Sequence, residues 1–339
     1  MKKSAYAAAG VNIEAGSRAT ELMKTAVQAT FGPEVLSGVG AFGGLYSVGK
    51  LKHLESPTLV ASTDGVGTKT KVAAALNRWD TIGHDIVNHC VNDILVQGAR
   101  PLFFLDYVAS AKLDPEQIAT IVAGIAEACE AVHCALLGGE TAEMPGVYHE
   151  GAIDLVGTVI GVVDRPDIIN GHRIEAGDVI LGLPSTGLHT NGYTLARQVL
   201  GELDWRTIEP ALGMTVGEAL LATHRAYLQE IGRLLAEHVD IRGLAHITGG
   251  GLIDNPPRIF PDGLGARLQR GSWPEPPIFS LIQQLGEIDS QEMFHVFNMG
   301  LGMLMIVPAV DVPLVQEILG DEVYVVGEMV AGEKTVVIE

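Results

Sequence analysis

The feature that most constrains this chain is how three acidic motifs punctuate alternating apolar runs in its first half. They are Ser62-Thr63-Asp64-Gly65-Val66-Gly67-Thr68-Lys69, Asn92-Asp93, and Gly138-Gly139-Glu140-Thr141-Ala142-Glu143-Met144-Pro145-Gly146. In each, a carboxylate stands where a strand or helix ends among glycines or small polar residues. Residues 57–63, 101–109, Leu136-Leu137 and 155–163 are short runs rich in branched and aromatic side chains, the pattern of buried strands. Between them, Asp114-Pro115-Glu116-Gln117 predicts a helix start, with an Asp cap and proline at the first helical position. Ile118, Ile121, Val122, Ile125 and Cys129 then share one face. Residues 80–97 predict a second helix with Ile82, Ile86 and Cys90 on an apolar stripe and Asp85, Asn88 and Asn92 on a polar one. That polar stripe is either a solvated face or the approach to a ligand.

The apolar pattern breaks near residues 164–178, at Asp164-Arg165-Pro166 and Asn170-Gly171-His172-Arg173. A fresh strand follows at 179–183, then a helix near 191–200, a long amphipathic helix near 215–237, and strands near 294–307, 323–330 and 335–339. The expected architecture is α/β, of the α+β type, in two domains at 1–166 and 167–339. The segments 201–215 and 262–276 carry no expectation.

Composition limits the partners. The 339 residues are 47% hydrophobic and 19% charged, enough apolar material for large cores. Lys and Arg number 22 against 41 Asp and Glu, a net charge of −19 that repels nucleic acid and anionic membranes. An acidic site accepts a nucleoside triphosphate only through a divalent cation such as Mg²⁺, so the metal and the nucleotide enter together. Cys90, Cys129 and Cys134 make no paired framework and fit a reducing compartment. Two lysines near the start precede no apolar run, and no stretch approaches about 18 uninterrupted apolar residues, so the reading is cytoplasmic.

Singly, each motif has a plain alternative. Asp64-Gly65 could be an ordinary capped turn, Asn92-Asp93 a surface dipeptide, and of Glu140 and Glu143 one could be a ligand and the other a cap. Together, Asp64 suits Mg²⁺, Gly65 and Gly67 permit close backbone approach, and Lys69 could neutralise phosphate. The glycine-rich run 37–44, containing Gly43 and Gly44, lacks the Walker pattern but could close over phosphates. In the second half, the turns at 185–193 and at Thr248-Gly249-Gly250-Gly251 could present N–H groups to an anion. His189 and His246 border them, either as structural residues or as proton carriers.

The block Asp64 to Lys69, the signature Asp93-x4-Gly98-Ala99-x-Pro101, the block Gly138 to Pro145 and the triple-glycine turn, in this order over nearly the whole chain, resemble the phosphoribosylformylglycinamidine cyclo-ligase family of purine biosynthesis. The resemblance implies a homodimer in which N-terminal mixed sheets form a shared β-barrel, flanked by C-terminal α/β domains. It implies ATP- and Mg²⁺-dependent closure of formylglycinamidine ribonucleotide to aminoimidazole ribonucleotide through a phosphorylated amide. By matching position it makes Asp64, Asp93 and Glu140 metal ligands. Lys24, Gly43, Gly44, Gly65, Gly67, Thr68, Asn92, Gly139 and Thr141 join them at the nucleotide. Lys69, His189 and His246 become catalytic candidates, and Asn191 and Thr248 to Gly251 substrate-binding ones. Thiamine-phosphate kinases and selenophosphate synthetases share the metal logic, but the latter need a reactive cysteine in the early glycine loop, and the first here is Cys90. A non-catalytic nucleotide-binding scaffold is the alternative from another class.

Overall fold

The computed structural model describes residues 12–339; the N-terminal residues read for targeting lie outside them. Two compact units divide the chain, the first running to Ile94 and resuming over Ala99–Pro166, the second comprising Leu95–Gly98 and Asp167–Glu339.

In the first unit, α1 (Ile13–Ala29) starts at Asn12, whose side chain accepts the Ala15 N–H at 3.2 Å. Then follow β1 (Pro57–Gly65), α2 (Lys69–Leu76), α3 (Ile82–Leu95), β2 (Arg100–Ser110), α4 (Pro115–Ala131), β3 (Ala135–Glu143) and β4 (Ile153–Asp164). The Asp114 carboxylate caps α4 by accepting the Glu116 and Gln117 N–H groups, both at 3.1 Å. The sheet order is β1-β4-β2-β3, antiparallel except for the β2–β3 pair, so it is mixed as expected. Ile82, Ile86 and Cys90 of α3 are buried, as are Ile118, Ile121, Val122 and Ile125 of α4. Each large aliphatic among them contributes roughly 1.5–3 kcal/mol by leaving water.

The second unit holds β5 (Val179–Pro184), α5 (Tyr193–Val199), α6 (Val216–Leu220), α7 (Leu228–Ala236), β6 (Gly243–His246), α8 (Gly251–Asp254), β7 (Leu264–Leu268), α9 (Pro277–Gly286), α10 (Ser290–Val296), β8 (Leu301–Val307), α11 (Val312–Leu319), β9 (Tyr324–Ala331) and β10 (Val336–Ile338). Its six-stranded sheet has the order β10-β7-β9-β5-β8-β6, and every residue of β8 is buried. Leu181, Leu183, Leu244, Met303 and Met305 pack there with Tyr227, Ile231 and Leu234, and Leu95 joins the same core.

Two expectations need correction. The long helix expected near 215–237 is two helices, α6 and α7, separated by seven residues that are not helical. A capping box between Thr215 and Glu218 starts α6, and the intervening residues are pulled inward: Tyr227 is buried and its Oη donates to the Pro184 carbonyl at 3.0 Å. The strand expected over 294–307 begins only at Leu301, because Asp289 accepts the Gln291 N–H and caps α10 through the preceding residues. In the segment without expectation, Leu264–Leu268 forms β7 between β10 and β9.

Candidate functional site

The first unit gathers its acidic motifs around an imidazole. Asp64 sits at the end of β1, and α3 brings His89 Nε2 to 2.8 Å from Asp64 Oδ2 and 3.7 Å from Asp93 Oδ2. Ser62 Oγ donates to the same Asp93 oxygen at 3.0 Å, and the Gly65 N–H reaches Asp64 Oδ1 at 2.6 Å. Burial opposes charge on His89, but Asp64, Asp93 and Asp85 outweigh it and hold its pKa above the ordinary 6.5. Burial would likewise raise the Asp64 carboxyl, yet His89 keeps it below its ordinary 3.8. His89 was not singled out from the sequence, although it lies four residues from both Asp85 and Asp93. Two hard carboxylates converging on one point, with Asp64 part-exposed, fit Mg²⁺, which keeps several waters and needs only one or two protein carboxylates.

Glu140 does not join them. The register runs Gly65, Val156, Tyr107, Glu140 across β1, β4, β2 and β3, which separates Glu140 from the end of β1 by three strand spacings, about 14 Å. The neighbouring row, Asp64, Gly157, Asp106, Gly139, shares the face that α3 covers, so alternation turns Glu140 to the opposite face. Glu143 accepts the Leu113 N–H at 2.9 Å and the Asn12 N–H, tying the end of β3 to the segments ahead of α4 and α1 rather than capping the turn before Pro145. Lys69 departs further from expectation. It is fully buried, and its Nζ lies 2.8 Å from the equally buried Asp85, so its charge serves an internal pair that joins α2 to α3. Asn92 is buried on α3 as well.

A cavity of about 630 Å³ opens in the same unit, between α1, the run Gly38–Gly44, Asp106 of β2 and Gly139–Thr141 of β3. Gly43 and Gly44 line it, as does Met23, next to the exposed Lys24. Burial pushes the Asp106 carboxyl up to about 7, against a smaller lowering by its own backbone N–H.

In the second unit, the turn 185–193 folds back on itself. His189 adopts φ +60°, and its Nε2 accepts the Thr186 N–H at 3.2 Å. A positive φ at a non-glycine residue is strain held by its surroundings. Asn191 lies against the triple-glycine turn: a Cβ on Gly249 would stand 3.3 Å from Asn191 Oδ1. Asn255 Oδ1 accepts the Thr248 N–H at 2.8 Å, while the buried Nδ2 atoms of Asn191 and Asn255 have no hydrogen-bond partner among the described residues. Two donors left over at one turn suit an anion. Gly251 has φ +57°, and a Cβ there would lie 2.0 Å from the Phe294 carbonyl oxygen, so only glycine fits. His189 and His246 come together with a third ring, His224, all three buried.

Residues 49–163 match the AIR synthase related protein, N-terminal domain family, and 175–339 the AIR synthase related protein, C-terminal domain family. A phosphoribosylformylglycinamidine cyclo-ligase of Desulfitobacterium hafniense is 52% identical over 327 residues, 96% of each chain. One of Geobacillus thermodenitrificans is 51% identical over 334 residues, 97% of this chain and 96% of its own. Among solved structures, thiamine-monophosphate kinase from Stenotrophomonas maltophilia superposes with a TM-score of 0.66 at 19% identity, covering 94% of this chain and 96% of its own. The hydrogenase maturation protein HypE in complex with ATP reaches 0.64 at 19%, covering 92% and 88%. Those two likenesses establish a shared fold, while relatives near 50% identity carry the cyclo-ligase name.

Proposed function

Because this chain belongs to the phosphoribosylformylglycinamidine cyclo-ligase family, and is thus a ligase that forms a C–N bond in purine biosynthesis, we propose the following division of labour between its two units. The first takes ATP. Its base enters the cavity beside Gly43, Gly44 and Thr141, and its phosphates reach toward Asp64 at the end of β1. Asp64 and Asp93 hold Mg²⁺, which supplies charge neutralisation at the phosphates. The convergence of these carboxylates on one imidazole nitrogen carries this reading.

The second unit takes formylglycinamidine ribonucleotide. Asn191, Asn255 and the backbone of Thr248 to Gly251 receive an anionic group, and His189 and His246 handle protons. In the reaction, the amide oxygen accepts the γ-phosphoryl group, the amidine nitrogen attacks the activated carbon and loses a proton, and phosphate departs. Oxygen alone is a poor leaving group, so phosphorylation must precede closure. Lys69 has no part at the phosphate here; it holds Asp85 and the base of α3.

Glu140 supports a homodimer. It lies too far from Asp64 to share an ion within one chain, and among the described residues β1 and β3 are open sheet edges, with Leu59 of β1 63% exposed. A second copy pairing along these strands would close the sheets into a shared barrel. Three buried free thiols are consistent with a reducing, cytoplasmic setting.

The test is to incubate the protein with ATP, Mg²⁺ and formylglycinamidine ribonucleotide and follow ADP and aminoimidazole ribonucleotide together. Stoichiometric formation of both is expected, and ADP release that ignores the ribonucleotide would sink the assignment.

A further inference from the structure

We propose that His224 is a positioning residue whose ring shares a single proton with His246, so that the tautomers of the two rings change together, with Thr190 able to complete either state. His224 lies in the break between α6 and α7 with no exposure. Its Nε2 is 3.1 Å from His246 Nε2, its Nδ1 is 3.3 Å from Thr190 Oγ1, and its ring stacks on His189 with centroids 4.0 Å apart and planes 21° from parallel.

Two imidazole nitrogens at hydrogen-bond distance need one proton between them: two N–H groups repel, and so do two lone pairs. The tautomers of His224 and His246 are therefore interlocked. If His246 Nε2 carries the proton, His224 accepts it and its own proton sits on Nδ1, donated to Thr190 Oγ1. In the reverse state His224 Nε2 donates, and Nδ1 accepts the threonine hydroxyl. A hydroxyl serves either state, so Thr190 completes the pair whichever way the proton lies. The consequence for chemistry is that a proton taken up by His246 is shared with a second ring across a preformed bond, which lessens the penalty of a buried charge.

A metal would organise the rings differently. Zinc ligands radiate from one point and use bare nitrogens, with the other ring nitrogen donating outward. Here two rings are stacked, and His189 Nε2 already accepts a backbone N–H, which leaves the proton of neutral His189 on Nδ1.

The proposal rests on reading His246 as a proton carrier, and its test separates the two. Imidazole nitrogens of His246 are followed by long-range ¹H–¹⁵N spectra, assigned with His246→Gln. Wild type should show complementary tautomers on His246 and on His224, the latter assigned likewise with His224→Gln, one Nε2 protonated and the other bare, and His224→Phe, which keeps ring volume and stacking, should shift the His246 tautomer populations. In that variant kcat should fall by about tenfold or more, within the 10²–10⁴-fold that a positioned acid or base contributes, with KM little changed. His224→Gln, whose amide can restore one bond, should recover much of the loss. Should His224→Phe not fold, Thr190→Val, which removes the acceptor for His224 Nδ1–H, should shift both rings toward the state in which His224 Nε2 carries the proton. An unaltered His246 tautomer in the Phe variant, or in Thr190→Val should that be the one that folds, would overturn the proposal. So would one zinc per chain bound by wild type and lost in His224→Gln. Full kcat in His246→Gln would instead remove the proton-carrier reading, and the spectra would still decide the hydrogen bond.

Discussion

His89 Nε2 serves Asp64 and Asp93 at once, from 2.8 and 3.7 Å, so one imidazolium acts as counter-ion to both proposed metal ligands. The folded pKa of His89 is raised, so its stabilisation is complete below the unfolded value and is lost as pH rises through the folded one. That of Asp64 is lowered, so its share disappears as pH falls through the depressed value. In metal-free protein, wild type should therefore melt above Asp64→Asn near pH 6, with the gap closing in alkaline buffer. A gap that stays constant from pH 6 to alkaline buffer would contradict this. With Mg²⁺ and both substrates, Asp64→Asn and Asp93→Asn should each lower kcat by about 100-fold or more while remaining folded.

Lys69 and Asp85 form an ion pair with no exposure. Removing one partner strands a buried charge, at a cost of about 3–5 kcal/mol. Chemical denaturation should show Lys69→Met and Asp85→Asn each destabilised by that order, and the double substitution by less than the sum. Additive losses would mean that the two side chains act independently.

Asp106 has a folded pKa near 7, well above the ordinary 3.8. The native state then holds more protons than the unfolded one between those values, so this group costs stability as pH rises from about 4 to 7. Asp106→Asn, neutral throughout, should gain on wild type in melting temperature across that interval and hold the gain above it. Parallel melting curves across the same interval would refute the raised value.

Gly302 makes room for the histidine cluster. A Cβ there would stand 2.0 Å from Tyr227 Oη and 2.6 Å from His189 Cε1. Gly302→Ala should cost about 1–3 kcal/mol of stability and lower kcat by disturbing His189. Unchanged melting and turnover together would show that the rings relax freely.

What could be read from the chain was local. The Asp114 cap, the apolar faces of α3 and α4 and the carboxylates at Asp64 and Asp93 depend on neighbours within a few residues, and those motifs stood out. What escaped depends on long-range register. Asp64 and Glu140 follow equivalent-looking apolar runs in the sequence, yet only strand pairing reveals that they face opposite sides of the sheet. Lys69 looked like a phosphate ligand because its burial against Asp85 is settled by how α2 meets α3. His224 was hidden inside an amphipathic pattern that runs on through both α6 and α7, and the chain breaks there because that residue and Tyr227 are drawn inward.

The assignment of Leu95–Gly98 to the second unit means that a cut between the two halves at Pro166 also divides the second unit's own interior. Leu95 fills a place in a core otherwise built from residues beyond 166, and emptying a leucine site costs about 2–5 kcal/mol. A gene cut after Pro166 would give a second fragment missing part of its own interior, and that part would remain tethered two residues from Asp93 in the other fragment.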